Sequence, residues 1–322
     1  MFLTRFAFAL TLTLGLAVSV SAQTYPTRSI RLIVPFGVGG NADLVARVIA
    51  DPLARALGQP IVVDNRAGAG GTIGAGLAAQ AAADGYTLLM SASGPNSVGP
   101  SIYKQLPYDP LKSFVNISRV SVQPSIVVVT PTLPVATLQE LIDYAKAHPG
   151  KLNFGSPGTG TTAHLAGELF KSLAKVDIVH IPYRQGSLIF TDLVEGRLQV
   201  SFDNVGQFLP FLKSGKLRAL AVIGNHRIAE LPDVPTTVEA GLPDFQYSIW
   251  FGLSAPAGTP ESVIKTIQAK WVETEKDPTT HQALVKLNAE AIAESPQEFQ
   301  AFLAHDIAKW AVVVKSAGVP QQ

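Results

Sequence analysis

The sequence contains no cysteine. This absence excludes a disulfide framework, a thiolate metal site, a thiol nucleophile and the lipid attachment of a bacterial lipoprotein. Charged residues are also few, at 15% of 322 residues, and they nearly cancel, with 25 basic and 24 acidic side chains. Nucleic acids and membrane surfaces bind clustered Lys and Arg. A chain without net charge or a basic run therefore disfavours both kinds of partner.

The first 22 residues contain no acidic side chain and are typical of a secretory signal. Arg5 supplies a basic start, residues 6–20 are almost wholly apolar, and Val20-Ser-Ala22 offers small residues for cleavage. We expect a signal peptide over 1–22 and a mature chain from Gln23. The apolar run is short for a bilayer, which disfavours the alternative of a membrane anchor. No later segment is long and apolar enough to span, so we expect a soluble protein in a Gram-negative periplasm.

The mature chain alternates apolar strands with helices, which predicts an α/β fold with parallel strands. We predict strands at 30–35, 61–63, 87–91, 151–154, 177–181, 200–203 and 219–223. We predict helices at 42–57, 73–82, 138–147, 164–173, 188–193, 207–213, 260–276, 279–289 and 296–316. A chain of this length typically divides into two lobes.

The lobe boundaries are predicted from the prolines. Pro124, Pro131 and Pro134 surround the apolar segment 126–129, which we interpret as an extended crossover into a second lobe. The C-terminal helices need a partner surface, and the first lobe is the simplest supplier. We predict a first lobe over 23–122, a second lobe over 123–225, and a return to the first lobe over 226–322. Two crossings would suit a hinge that closes on a ligand.

The most informative motifs are two glycine-rich turns between a strand and a helix. One lies in residues 32–43 and the other in residues 152–164. Each turn places unpaired backbone N–H groups at the positive end of a helix, where a carboxylate or phosphate can bind without a cationic side chain. If the turns face each other, an anion would bind between them.

Polar side chains around these glycines favour a binding role over ordinary turns, which remain the alternative. They are Asn41 and Asp43 in one turn, and Ser156, Thr159, Thr161, Thr162 and His164 in the other. Asp43 would repel an anion. Its carboxylate could cap its helix, receive a ligand ammonium or hold a bridging water.

Three other functions are weighed and disfavoured. Both turns fit the dinucleotide pattern G-x-G-x-x-A, and Asp64 follows the first, but an exported protein has no ready supply of nicotinamide cofactor. His164 and Glu168 have a spacing that could bind a metal, although the other histidines add no supporting pattern. No G-x-S-x-G elbow is present, so covalent catalysis has no support. We expect no cofactor, no metal and no enzyme activity.

Motifs along almost the whole mature chain resemble the Bug or TctC-type solute receptors of tripartite tricarboxylate transporters. The opening stretch 25–36 and the following Gly39-Gly-Asn-Ala-Asp43 are the clearest. The further matching segments are 63–66, 68–71, 84–89, 108–111, 154–156, 181–183, 202–204 and 255–260. This sequence has Val38 where the family often has proline, and Gln185 where the family has a shorter segment; both differences concern which ligand is bound.

The resemblance implies a type II periplasmic-binding-protein fold, in which two α/β lobes close on a small organic anion. That anion would be a mono-, di- or tricarboxylate or an aromatic acid, delivered by a monomeric receptor to membrane permease subunits. Ligand contacts are expected from Phe36, Gly39, Gly40, Asn41, Asp43, Ser91, Asn96, Ser156, Gly158, Thr159, Gly160, Thr161, Thr162, His164 and Asp203. The alternatives are a sensor subunit for a membrane kinase and an exported enzyme on the same fold.

Overall fold

The computed structural model of this chain describes residues 25–183, 186–316, 318, 319 and 321. The predicted signal peptide at 1–22 and Gln185 lie outside the described residues. The strands are β1 (Ile30–Val34), β2 (Ile61–Asn65), β3 (Thr87–Ala92), β4 (Phe114–Gln123), β5 (Ser125–Val129), β6 (Asn153–Ser156), β7 (Val179–Pro182), β8 (Val200–Asn204), β9 (Arg218–Ile223), β10 (Ile249–Pro256) and β11 (Glu290–Ala291).

Helices connect most of these strands, and a π-helical turn (Ser93–Val98) follows β3. The helices are α1 (Asn41–Leu57), α2 (Thr72–Ala79), α3 (Gly99–Ile102), α4 (Leu138–Ala147), α5 (Thr162–Ala174), α6 (Ser187–Val194), α7 (Val205–Lys213), α8 (Glu261–Glu275), α9 (Pro278–Val285) and α10 (Pro296–Ser316). Among the described residues, no helix is both long enough and apolar enough to cross a bilayer.

The strands form two mixed sheets, which confirms the α/β class. The first sheet has the order β11-β4-β10-β3-β1-β2, and the second has the order β7-β6-β8-β5-β9. Strands β1, β2 and β3 are parallel to one another, as are β6, β7 and β8. We call each sheet with its helices a lobe. In open α/β sheets, ligands bind beyond the carboxyl ends of the parallel strands, and both glycine-rich turns follow such ends.

Burial explains why these segments fold as they do. Strand β1 is central in its sheet, and Ile30, Leu32 and Val34 are almost fully buried. Helix α1 buries one face and ends at Gly58, whose φ of +74° is the left-handed conformation that glycine adopts freely. Helices α8 and α10 pack against β4, and α8 and α9 pack against α1, so the C-terminal helices cover the first sheet.

Four strands were not predicted as such: β4, β5, β10 and the two-residue β11. Segment 126–129, expected as a crossover, lies within β5, whose residues pair with β8 and β9 inside the second sheet. Its four consecutive aliphatic residues are buried because neighbours cover both faces of the strand. Strands β4 and β10 pair with each other in the first sheet, a contact between distant parts of the chain.

The chain crosses between the lobes at two places. Gln123 ends β4, Pro124 follows, and β5 begins in the second sheet. The return lies after Tyr247, whose hydroxyl donates to the Phe202 carbonyl of the second sheet at 3.1 Å. The intervening segment is held by Thr237, whose N–H donates to Val222 of β9 at 2.8 Å. The predicted return at 226 is therefore too early, because this segment bonds to the second sheet.

Candidate functional site

The first glycine loop, residues 35–40 between β1 and α1, is braced by one buried carboxylate. Asp43 is 1% exposed and accepts hydrogen bonds from the Gly39 N–H at 2.9 Å, Arg47 Nε at 3.0 Å and Asn65 Nδ2 at 3.0 Å. Asn65 also donates to the Phe36 carbonyl at 3.0 Å. Burial alone would raise the pKa of Asp43, but the bonds from Arg47, Gly39 and Asn65 lower it. Three roles were considered for Asp43: a helix cap, a partner for a ligand ammonium and a holder of a bridging water. The bonds from the loop before α1 resemble those of a cap more than the other two.

The remaining first-loop residues have distinct positions. Gly39 has a φ of +78° and open space around its Cα. Gly40 is extended and directly precedes α1, while Asn41 donates through Nδ2 to Gln123 Oε1. The Phe36 ring lies against Gly71, where an added Cβ would be 3.2 Å from Phe36 Cζ.

The second glycine loop, residues 157–161 between β6 and α5, is held by its own side chains. Thr161 caps α5, because its hydroxyl accepts from the His164 N–H and donates to the Gly158 carbonyl at 2.7 Å. Ser156 Oγ donates to the same carbonyl at 2.9 Å and contacts His180 Nε2 at 2.6 Å. The Gly160 N–H donates to His164 Nδ1 at 3.2 Å. The loop therefore has one well-defined conformation.

The two histidines under this loop are uncharged at neutral pH. The rings of His164 and His180 are in contact, with centroids 4.1 Å apart and planes tilted by 36°. Burial, with the nearby Lys171 charge, lowers the pKa of His164 to about 4. Burial, with His164 and Lys171, lowers the pKa of His180 to about 3. A neutral His164 is also what the bond from Gly160 requires, since Nδ1 accepts there. Any anion held by this loop is bound by dipoles and hydroxyls.

The two lobes touch at this site. Ser93 Oγ and Thr162 Oγ1 lie 2.8 Å apart and are buried, and Tyr103 Oη donates to the Thr159 carbonyl at 3.1 Å. An added Cβ at Gly94 would lie 3.8 Å from both Phe36 Cζ and Thr161 Cα. The structure thus brings residues of both glycine loops close to Gly94, and the lobes are in contact there.

Three predicted lining residues bond to close neighbours in their own lobe. Ser91 Oγ donates to Ser254 Oγ at 2.7 Å, and Asn96 Oδ1 accepts from the Ala92 N–H at 3.0 Å. Between these two residues, Ser93 hydrogen-bonds to Thr162 of the second lobe. Asp203 accepts from the Asn204 N–H at 2.7 Å, and burial outweighs that bond and raises the pKa of Asp203 to about 6.

The groups behind the metal and dinucleotide alternatives have other partners. Glu168 forms an ion pair with Lys171 at 2.9 Å. Asp64, which a dinucleotide site would place on a ribose, is bound by Arg31 and, at 3.0 Å, by Arg66. In the part of the chain that the structure describes, no three or more His, Asp or Glu side chains cluster as a metal site would require. Val38, which stands where the family often has proline, is 75% exposed.

Comparison with known proteins decides the family. The model of the tripartite tricarboxylate transporter family receptor, TctC, matches residues 45–319. The chain belongs to this family. It is 40% identical to protein BugT of Bordetella pertussis over 300 residues, which cover 93% of this chain and 92% of BugT. The predicted family is therefore confirmed.

Solved structures of TctC-type proteins share the fold. A structure described as a periplasmic transporter superposes with a TM-score of 0.88 at 38% identity, covering 92% of this chain and 99% of that one. An R. palustris protein with adipate superposes with a TM-score of 0.88 at 35% identity, covering 92% of this chain and 100% of that one. MatC from Rhodopseudomonas palustris, with bound malate, superposes with a TM-score of 0.86 at 32% identity, covering 90% of this chain and 100% of MatC. The type II binding-protein fold of this TctC receptor is confirmed.

Several hydrogen-bond partners of the site residues of this TctC receptor were missed in the sequence, and one of them, Tyr103, reaches across the lobes. Asn65, Tyr103 and Gln123 reach Asp43, Thr159 and Asn41 from 22, 56 and 82 residues away. Asn65 lies in segment 63–66, which matches the family, and this match could have indicated its role in the site. Tyr103 and Gln123 lie in none of the matching segments, so no comparable indication was available for them.

Proposed function

We propose that this TctC receptor binds a small organic carboxylate in the periplasm, between its two glycine loops, and delivers it to a membrane permease. The observation that carries the proposal is the Ser93–Thr162 contact at 2.8 Å, which brings the start of α5 against the turn after β3. The first N–H groups of a helix have no acceptor within the helix, so they are available to an anion.

The chemistry around this contact suits a carboxylate. In their mutual hydrogen bond, one of the Ser93 and Thr162 hydroxyls donates to the other, which leaves the second hydroxyl free to donate to a carboxylate oxygen. His164 and His180 are neutral, so the site supplies dipoles rather than fixed positive charge. Such a site favours a weakly hydrated organic anion that the closed lobes can surround. The adipate and malate bound by the two relatives are anions of this class.

Calorimetry on the mature chain tests the proposal. Mono-, di- and tricarboxylic acids and aromatic acids are titrated into protein that has been unfolded and refolded, so that retained ligand is removed. A true ligand at one hundred times its Kd raises the free energy of unfolding by about 2.7 kcal/mol. Absence of both heat and thermal shift across the panel refutes the proposal.

Two further measurements separate this role from its alternatives. The ligand is recovered after incubation and examined by NMR, and chemical conversion would indicate an enzyme. Light scattering after size exclusion is expected to give a monomer with and without ligand. A pull-down from membranes distinguishes a permease partner from a sensor kinase.

A further inference from the structure

The part of the chain that forms β1 to β3 lacks two of the common charged residue types. Residues 23–103 contain no lysine and no glutamate, although both are frequent in residues 104–322. The cations of residues 23–103 are all arginines: Arg28, Arg31, Arg47, Arg55 and Arg66. Lysine and glutamate are depleted in protein–protein interfaces, and arginine is enriched there. This part of the first lobe therefore has the composition of an interface.

The same part of the chain exposes large apolar side chains. Val62 of the edge strand β2 is 54% exposed, and Ile73 and Leu77 of α2 are 51% and 45% exposed. Ile73 and Leu77 are four residues apart, so they lie on the same face of α2. Segment 67–83, which contains α2, has no charged residue. Exposed apolar side chains that are grouped with a polar border mark interaction surfaces.

Two arginines border these apolar side chains. Arg31 and Arg66 both bind the carboxylate of Asp64, the latter at 3.0 Å. Val62 comes two residues before Asp64 in β2, so both side chains lie on the same face of that strand. The Arg66 carbonyl lies against Gly74 of α2, where an added Cβ would be 2.6 Å from it. Arg66 thus connects the edge of β2 with the start of α2.

A third arginine connects this surface with the first glycine loop. Arg47 Nε donates to Asp43 at 3.0 Å, and Arg47 Nη2 donates to Asn65 Oδ1 at 3.3 Å. Asn65 is the chain neighbour of Arg66, and Asp43 accepts from the Gly39 N–H of the loop. The surface therefore borders the loop to which the proposed function assigns the ligand. We call it the arginine face, and it consists of Arg31, Arg47, Val62, Arg66, Ile73 and Leu77.

The ion pairs of the arginine face expose their cations more than their carboxylates. The side chains of Arg31, Arg47 and Arg66 are 43%, 52% and 49% exposed, whereas those of Asp64 and Asp43 are 23% and 2% exposed. An approaching partner would meet guanidinium groups around an apolar centre. Guanidinium groups bind carboxylates in a planar, bidentate geometry. The complementary partner is therefore apolar at its centre and acidic at its border.

A second copy of this chain does not have that chemistry. A two-fold symmetric contact presents the same surface from both subunits. Arginine would then face arginine, and like charges across an interface repel each other. The proposed function names a different protein that must meet the receptor next to its ligand, which is the membrane permease.

We propose that the arginine face is the surface on which the membrane permease docks, and that the matching permease surface carries acidic side chains around an apolar centre. The inference rests on the proposed function, because it requires a permease to which the solute is delivered. It adds the place of the contact and its chemistry.

Opposite charges at one exposed position test the proposal. Leu77→Glu and Leu77→Lys are compared with the wild type in right-side-out membrane vesicles of the source bacterium, washed free of periplasmic proteins. The vesicles take up a radiolabelled form of the acid that binds most tightly in the calorimetric panel. Leu77→Glu is expected to raise the receptor concentration for half-maximal uptake by about tenfold or more, and Leu77→Lys by less than about threefold, because an acidic partner repels only the new carboxylate.

Further variants control for position and folding. Val62→Glu and Val62→Lys repeat the comparison on β2 and should show the same dependence on the sign of the charge. Val312→Glu and Val312→Lys place these charges on α10, where Val312 is 68% exposed. They are expected to change the half-maximal concentration by less than about twofold. Calorimetry should give the wild-type Kd for the acid in every variant, and circular dichroism verifies the fold.

Three outcomes overturn the inference. Equal losses for the glutamate and lysine variants would show that the partner is not acidic, and unchanged uptake in all variants would place docking elsewhere. A wild-type dimer in light scattering that Leu77→Glu dissociates would assign the arginine face to a second copy of the chain. If the wild type binds its acid but supports no uptake, the delivery step of the proposed function is itself refuted, which is a different result.

Discussion

Replacement of Gly160 by alanine is expected to push the lobes apart. Gly160 has a φ of +80°, and an added Cβ would lie 2.8 Å from Tyr103 Oη and 3.1 Å from Tyr103 Cε2. Tyr103 belongs to the first lobe and Gly160 to the second. The collision therefore exists only when the lobes are closed, and opening relieves it.

The magnitude follows from two separable effects. The left-handed backbone costs an alanine about 1–2 kcal/mol of folding free energy in open and closed forms alike. Displacement of Tyr103 also loses its hydrogen bond to Thr159, which contributes about 0.5–1.5 kcal/mol to closure. That second effect corresponds to a Kd weakened by about two- to thirteenfold for a ligand that needs the closed form.

Gly58→Ala is the matched control, since Gly58 ends α1 outside the glycine loops, has a φ of +74° and has open space around it. Urea unfolding should show a similar loss of stability in Gly58→Ala and Gly160→Ala. Small-angle X-ray scattering with ligand should show a larger radius of gyration only for Gly160→Ala. In a Tyr103→Ala background, Gly160→Ala should no longer change Kd. Equal Kd values for the two alanine variants would refute the reasoning.

Two further predictions concern ionisation. Asp43→Asn is expected to lower the free energy of unfolding by about 1–3 kcal/mol at pH 7. The pKa of Asp43 is lower in the folded state than in the unfolded state, where it is about 3.9. The stability difference between wild type and Asp43→Asn is therefore complete above about pH 3.9 and decreases as the pH falls below that value. His164→Asn keeps an acceptor for the Gly160 N–H without a titrating ring. Between about pH 4 and 6.5, His164 of the wild type takes up a proton on unfolding, so it makes the free energy of unfolding increase by about 1.4 kcal/mol per pH unit. The variant should lack this contribution to the slope.

Urea unfolding from pH 7 to pH 3 measures both predictions. Glu273→Gln removes an exposed ion pair with Lys270 and should change stability by less than about 0.5 kcal/mol. A difference for Asp43→Asn that stays constant with pH, or an unchanged slope in His164→Asn, would contradict the assignments.

Local patterns predicted most of the elements near the site. The strand at 30–35 and the helix at 42–57 correspond to Ile30–Val34 and Asn41–Leu57. Apolar spacing and a stop glycine determine such elements within a short stretch of chain. By contrast, β4 and β10 stabilise each other across more than one hundred residues, and local spacing carries no sign of that partner.

The same distinction separates the predicted and missed parts of the candidate site. The cap at Thr161 depends only on residues of its own loop and helix. The partner of Thr162 is Ser93, 69 residues away, and the acceptor for Tyr103 is 56 residues away. The arrangement of the two sheets determines which polar groups meet across the cleft. Neither glycine-rich motif contains information on that arrangement.

The place of β10 in the first sheet constrains the order in which the protein can assemble. β10 lies between β3 and β4 in the sheet. It is formed by residues 249–256, which come much later in the chain than either neighbour. Until that segment has been synthesised, β3 and β4 each present an unpaired edge, and such edges attract other chains. The second sheet needs nothing beyond Ile223 for its five strands. The lobe that begins first is therefore completed last.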